Sequence, residues 1–216
     1  MLITGIDDAG RGSVIGPLVI AGIAFNKSKL KHLKKLGVKD SKELSPKERE
    51  RIYKELLNLP CKISVVHLLP NAIDMHVTQK KKYRKLNYLE AKAMAEVISK
   101  VKAKLVYIDC PDINPKRYKR EIESFLEDDV NVRIVCCHKA DKKFTIVSAA
   151  SIIAKVERDY SIQRIKDKLG DFGSGYPSDP KTKSFIKRYI QEKENYPEQI
   201  RKSWKTIKKL SQLTLA

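Results

Sequence analysis

The stretch LITGIDDAGRGSVIGPLVIAGIAF (residues 2–25) decides the fold. LITGID is a short apolar run with an abrupt polar end, which reads as a strand. PLVIAGIAF (17–25) is rich in β-branched residues and reads as a second strand. The turn between them holds Gly10, Gly12, Gly16 and Pro17. Asp7 and Asp8 stand side by side where the first strand ends, and what they bind is the question that the sequence raises.

The same signals recur along the chain. KSKLKHLKKLGV (27–38) is a basic helical stretch that Gly37 can end. In SPKERERIYKELLNL (45–59), Ser45 as N-cap, Pro46 at the first helical position and Glu48 make a capping box. CKISVVHLL (61–69), KLVYID (104–109) and NVRIVCCHKAD (131–141) read as further strands. Helices are expected over 87–101, 117–126 and 144–169. Two adjacent strands followed by βαβα units predict an α/β protein with a mixed sheet flanked by helices. From Gly170 the composition shifts to a loop dense in Gly, Pro and Ser, then to a basic tail. Residues 181–210 hold ten Lys or Arg against three Glu. The expected division is therefore a core over 1–169 and an appended helical lobe over 170–216.

Ligands in open α/β sheets gather beyond the carboxyl ends of strands. Asp7, Asp8, Asp109 and Asp141 all follow strand signals. Four crowded carboxylates repel, so they hold protons or bind a cation. Oxygen donors select hard ions such as Mn2+ or Mg2+. Beside a basic surface, such a site points to phosphodiester hydrolysis. Taken singly, each aspartate is more often a turn residue or a helix cap, Asp141 above all. The glycines do not form a dinucleotide fingerprint: Gly16 falls one residue late, and a strand follows in place of a helix. They read instead as a turn allowing close backbone approach, with Arg11 placed to meet a phosphate.

The totals agree with a polyanionic partner. The 216-residue chain carries 45 Lys and Arg against 26 Asp and Glu, a net charge of +19. The four cysteines form no CxxC pair, so zinc spacing is absent. Cys61, Cys136 and Cys137 are expected as buried thiols, implying a reducing, cytoplasmic setting. The start MLITGIDD has no basic, apolar leader character. No apolar run approaches the ~18 residues of a membrane span.

Taken together, GIDDAGRGSVIGPLVIAG (5–22), VKDSKELSPKERE (38–50), LNYLEAKAM (86–94), VYID (106–109), KADKKFTIVSAASIIAKVERD (139–159), GDFGSGYPSDPKT (170–182) and RKSWKT (201–206) run in order over nearly the whole chain. This pattern resembles the type 2 ribonuclease H family, ribonuclease HII, in its archaeal form. The resemblance implies a ribonuclease H-like five-stranded mixed sheet and a helical C-terminal region. It implies metal-dependent endonucleolytic cleavage of the RNA strand of RNA/DNA hybrids, and incision at ribonucleotides embedded in duplex DNA, leaving 5′-phosphate and 3′-hydroxyl ends. It carries the family's carboxylates onto Asp7, Asp8, Asp109 and Asp141, as metal ligands for Mn2+ or Mg2+. It carries the ribose-sensing turn onto Gly10, Arg11 and Gly12, the substrate-sensing tyrosine onto Tyr176, and a phosphate contact onto Lys42. A monomer without a membrane partner is expected. The family's second carboxylate is normally glutamate, so Asp8 is a departure. The sibling family, ribonuclease HIII, carries a long N-terminal extension and lacks the arginine of the turn. An aspartate already at residue 7 and Gly-Arg-Gly favour type 2.

Other residues carry weaker signals. Ser148, Ser151 and Lys155 share one helical face, either lining a substrate groove or letting the helix approach the sheet. His32, His67, His76 and His138 have no shared metal spacing. Trp204 reads as a packing anchor. QKKKYRK (79–85) is a basic run that either guides a nucleic-acid backbone or is a solvated face. A junction resolvase on the same core and a non-catalytic RNA-binding protein are the alternative readings.

Overall fold

The computed structural model describes residues 1–78, 85–128, 130–192 and 195–214, without the side chains of Lys85 and residues 212–214. Apart from the backbone of Lys85, the basic run at 79–85 lies outside the described residues. Five strands form one sheet: β1 (Leu2–Ala9), β2 (Leu18–Asn26), β3 (Lys62–Leu68), β4 (Leu105–Asp109) and β5 (Arg133–Cys137). Their order is β3-β2-β1-β4-β5. The glycine turn returns the chain beside itself, so β1 and β2 pair antiparallel from Leu2↔Asn26 to Ala9↔Val19. β4 pairs parallel with β1, and β5 with β4. The sheet is mixed, as the pattern of elements requires.

The described helices are α1 (Leu30–Lys35), α2 (Pro46–Leu57), α3 (Pro70–Thr78), α4 (Lys85–Val101), α5 (Pro115–Glu123), α6 (Ala140–Lys143), α7 (Thr145–Leu169), α8 (Pro180–Gln191) and α9 (Lys205–Thr214). Their starts follow local chemistry. The Ser45 hydroxyl accepts from the Glu48 N–H, and the Glu48 carboxylate accepts from the Ser45 N–H at 2.8 Å, closing the capping box of α2. Asn114 and Asp179 cap α5 and α8, each followed by proline.

Contacts divide the chain into two compact units. The first holds residues 1–9, 19–66 and 87–157, and contains the sheet. Here two glycines admit helices against the strands. A Cβ on Gly5 would sit 2.2 Å from the Ile146 carbonyl oxygen, and one on Gly22 would sit 2.4 Å from the Val97 side chain. The absent side chains let α7 and α4 close on β1 and β2, and Ile3, Val19, Ile23, Val147, Ala150 and Ile153 fill one core. The second unit holds residues 10–18, 67–86 and 158–216. It has its own core, in which Val14, Ile15 and Ile162 pack with Phe172, Phe185 and Ile200. The compositional break at 169/170 falls inside this unit. Trp204 packs against its core, as expected.

The cysteines depart from expectation. Cys61, Cys136 and Cys137 are only half-buried, and Cys110 is the buried one; all four are free thiols. β5 lies at the end of the sheet order, so its side chains are covered less than those of a central strand. Among the described residues no helix is long and apolar enough to cross a membrane.

Candidate active site

In the first unit, the parallel register sets the carboxylates. Ile6 of β1 stands opposite Ile108 of β4, so the next residues, Asp7 and Asp109, meet at the carboxyl ends of two central strands. Asp109 is in turn opposite Cys137 of β5. Asp109 Oδ1 accepts a 2.7 Å hydrogen bond from the Ala140 N–H. Asp109 thus satisfies the first N–H of α6, and Asp141, which the sequence allowed as a cap of the helix that follows, is a buried residue inside α6. Asp8, the next residue of β1, is half-buried and close enough for its charge to act on the Asp7 carboxyl. Its charge also reaches the buried Tyr118, which feels the fully buried Glu90 as well.

The negative charge is crowded. Burial first, then the charge of Asp8, pushes the Asp7 carboxyl well above the usual range; Asp109 adds to the shift, and hydrogen bonds from Ser151 and the Asp8 N–H oppose it. Burial also raises Asp109, with Asp141 adding and the Ala140 N–H, Lys42 and His138 opposing. Both shifts come first from burial, with neighbouring carboxylates adding to them. The carboxylate oxygens gathered at this edge suit a hard divalent ion by donor chemistry. Among the described residues no three acidic, histidine or cysteine side chains are arranged to hold an ion.

α7 supports the cluster. The Ser148 hydroxyl donates to the Asp141 carbonyl at 2.6 Å. The Ser151 and Ser41 hydroxyls lie 2.9 Å apart, and the Lys155 ammonium donates to Ser41. With Ser151 bonded to Asp7, a chain runs from the half-buried Lys155 through two buried serines to the carboxylate. Of the two readings of this helical face, neither is complete: the serines pack close and also bond the acidic residues. Lys42 is exposed beside Ser41 in a short turn, Ser41–Glu43, capped by Asp40. His138 is exposed, and its Nε2 lies 2.7 Å from the Asp112 carbonyl, so that nitrogen carries the proton and donates.

In the second unit, the glycine turn and Tyr176 stand together. Gly10 has φ +87°, and a Cβ there would meet the Pro17 oxygen at 2.7 Å and the Arg158 side chain at 2.8 Å, so glycine is required for packing as well as conformation. Gly12 is exposed, and its missing Cβ would lie 4.0 Å from the Tyr176 ring. Two residues that sequence reasoning missed hold this arrangement. Arg158 stacks 4.6 Å from the Tyr176 ring centroid and donates to the Ser174 carbonyl. Arg201, fully buried, donates to the carbonyls of Gly10, Arg11 and Gly16 at 2.8–3.1 Å. Neither carries a local signal, since both sit among other basic residues of helical or tail character.

The mixed sheet with acidic ends on its central parallel strands places the chain in the class of ribonuclease H-fold hydrolases. Residues 4–207 match the ribonuclease HII family. The chain is 42% identical to ribonuclease HII of Thermococcus onnurineus, over 98% of this chain and 91% of that protein. It is 44% identical to the Archaeoglobus fulgidus enzyme, over 98% and 97%. The crystal structure of ribonuclease H2 from Pyrococcus horikoshii matches with TM-score 0.88 and 37% identity, covering 100% of this chain and 99% of that one. The ribonuclease HII of a PCNA complex from Archaeoglobus fulgidus matches with TM-score 0.85 and 42% identity, over 95% and 96%. A Bst ribonuclease HIII in complex with Mn2+ shares the fold, with TM-score 0.82 at 21% identity. The chain belongs to the ribonuclease HII family.

Proposed function

We propose that this protein hydrolyses the RNA strand of RNA/DNA hybrids and incises duplex DNA at embedded ribonucleotides, leaving 5′-phosphate and 3′-hydroxyl ends. The observation that carries the reading is the parallel register that sets Asp7 beside Asp109 at the carboxyl ends of β1 and β4, both with raised carboxyl pKa. Asp7, Asp8, Asp109 and Asp141 would hold Mn2+ or Mg2+. When bound, the ions supply an activated water and charge to steady the leaving oxygen. The residues of the chain do the rest. Ser151 holds the Asp7 carboxylate, Ser148 holds the backbone at Asp141, and Lys42 takes a backbone phosphate. Gly12, exposed and without a side chain, offers its backbone to the 2′-hydroxyl, which distinguishes RNA from DNA. Arg11 contributes charge to a phosphate, Gly10 shapes the turn, and Tyr176, backed by Arg158, stacks on a sugar. We assign catalysis to residues 1–169 and duplex affinity chiefly to the basic segment 170–216, and place the protein in the cytoplasm as a monomer.

The test is cleavage of a labelled RNA/DNA hybrid in Mn2+, in Mg2+ and in EDTA. The reading predicts cutting of the RNA strand in at least one metal and none in EDTA. Intact hybrid in both metals, with tight binding, would instead favour a non-catalytic binding protein. Intact hybrid with cutting of an all-DNA four-way junction would favour a resolvase.

A further inference from the structure

A cleft of about 310 Å³ lies in the first unit, on the sheet face that carries Asp7 and Asp109. Its floor is apolar and partly aromatic: Ile3, Leu30, Tyr107, Phe144 and Ile146. The Tyr107 and Phe144 rings stack at 4.2 Å. Its rim is basic. Lys27, Lys31 and Lys34 recur at helical spacing along the short turn and α1, and Lys143 ends α6 opposite them. No acidic residue lines it. Some lysines on other helices are paired at i,i+4, as Lys54 with Glu50 and Lys100 with Glu96. Among the described residues these four ammonium groups have no carboxylate partner. A second cleft shares Lys34, Lys143 and Thr145 with the first and includes Asp141.

An apolar floor inside a ring of unpaired cations fits a ligand with a flat apolar body and a phosphate. Double-stranded nucleic acid buries its base faces in its own stack and can cover only the lysines. A single strand offers both base face and phosphate. The continuity with Asp141 favours a strand that leads away from the acidic cluster over a free mononucleotide. We propose that this cleft seats unpaired nucleotides of a single-stranded extension of the substrate, a base on the Tyr107–Phe144 floor and phosphates on the lysine rim. The inference rests on the proposed nucleic-acid substrate and adds a class to it: hybrids with single-stranded flanks.

The experiment is equilibrium binding by fluorescence anisotropy in EDTA, where no strand is cut. Its probes are a blunt RNA/DNA hybrid, the same hybrid with a ten-thymidine tail of either polarity, an abasic tail, and free dT10. One base stacked on protein predicts at least about fivefold tighter binding with a thymidine tail. An abasic tail should lose most of that gain. Each phosphate contact on a single strand adds about 0.7 to the salt slope, so the double variant K27Q/K31Q should lower the tailed hybrid's slope by about 1.4 and leave the blunt hybrid's unchanged. No gain from either polarity, a gain equal with an abasic tail, or one that K27Q/K31Q leaves intact overturns the proposal. A blunt hybrid that fails to bind would count against the proposed function alone; binding of dT10, and its loss in K27Q/K31Q, then decides the cleft.

Discussion

Asp7 concentrates the conflict between stability and chemistry. Burial holds its folded pKa above the unfolded value of about 3.9. The protonated form therefore favours the fold: that contribution is complete below the unfolded value and is lost as pH rises through the folded one. Near neutral pH the ionised carboxylate is a cost that a divalent ion would offset. Asp7→Asn is expected to raise the melting temperature in EDTA by about 2–4 °C, the equivalent of about 1 kcal/mol for a chain of this size. Loss of an outer partner of a metal ligand typically costs about 10–100-fold in activity, so loss of the ligand charge should cost more. A melting curve in EDTA beside a rate in Mn2+ checks both. Asp8 makes a separate prediction. It is one methylene shorter than the family glutamate, which favours an ion tolerant of looser geometry. Asp8→Glu should lower the ratio of Mn2+-supported to Mg2+-supported rate; an unchanged ratio would sink this account of Asp8. The paired acids were legible because a carboxylate at a strand end is a local pattern. Arg201 was not, because its carbonyl partner on Arg11 lies 190 residues away and no periodicity reports it.

At the scale of elements, the signals that were read correctly are those that one segment contains. The capping box of α2 needs only Ser45 to Glu48. Ser45→Ala should cost about 0.5–2 kcal/mol and leave the cleavage rate unchanged, as thermal melts and a rate assay would show. The segment after β4 is different, since its order depends on distant partners. Asp112 accepts from Asn87 Nδ2 and the Asn114 N–H at 2.8 Å each and pairs with Arg117. Burial opposes ionisation of Asp112, but these partners more than offset it and hold the carboxyl at about 2. A lowered folded pKa contributes stability above the unfolded value, lost as pH falls from about 4 toward 2. With Arg117 partly exposed, the contribution is about 1–2 kcal/mol. Asp112→Asn should flatten the fall in melting temperature over that window. Nothing local in CPDIN indicates this network, so the sequence left Asp112 unread. The burial of Cys110 in place of its neighbours was hidden for a related reason: local surroundings do not report where a strand falls in the sheet order.

For the whole molecule, the excess of +19 points to a polyanion, and the basic segment 170–216 is proposed as the main grip. The structure adds a constraint. Deleting 183–216 would also remove Arg201, which holds the Gly10–Gly16 turn, and Ser203, whose hydroxyl donates to Asp74 at 2.5 Å. Neutralisation is the cleaner test. Lys202, Lys205, Lys208 and Lys209 are exposed, while Ile207 and Leu210 face the core. Converting the four lysines to glutamine should weaken hybrid binding and lower its salt slope by about 1–3, with little change in turnover. An unchanged slope would assign the electrostatic grip elsewhere. The central claim is that the acidic strand ends cut beside a ribose. The most direct measurement is single-turnover cleavage of duplex DNA carrying one ribonucleotide, in Mn2+, with analysis of the product ends. The account predicts one cut, with 5′-phosphate and 3′-hydroxyl termini, abolished by EDTA and by Asp7→Asn. Equal cutting of all-DNA duplex, or cleavage that survives Asp7→Asn, would contradict it.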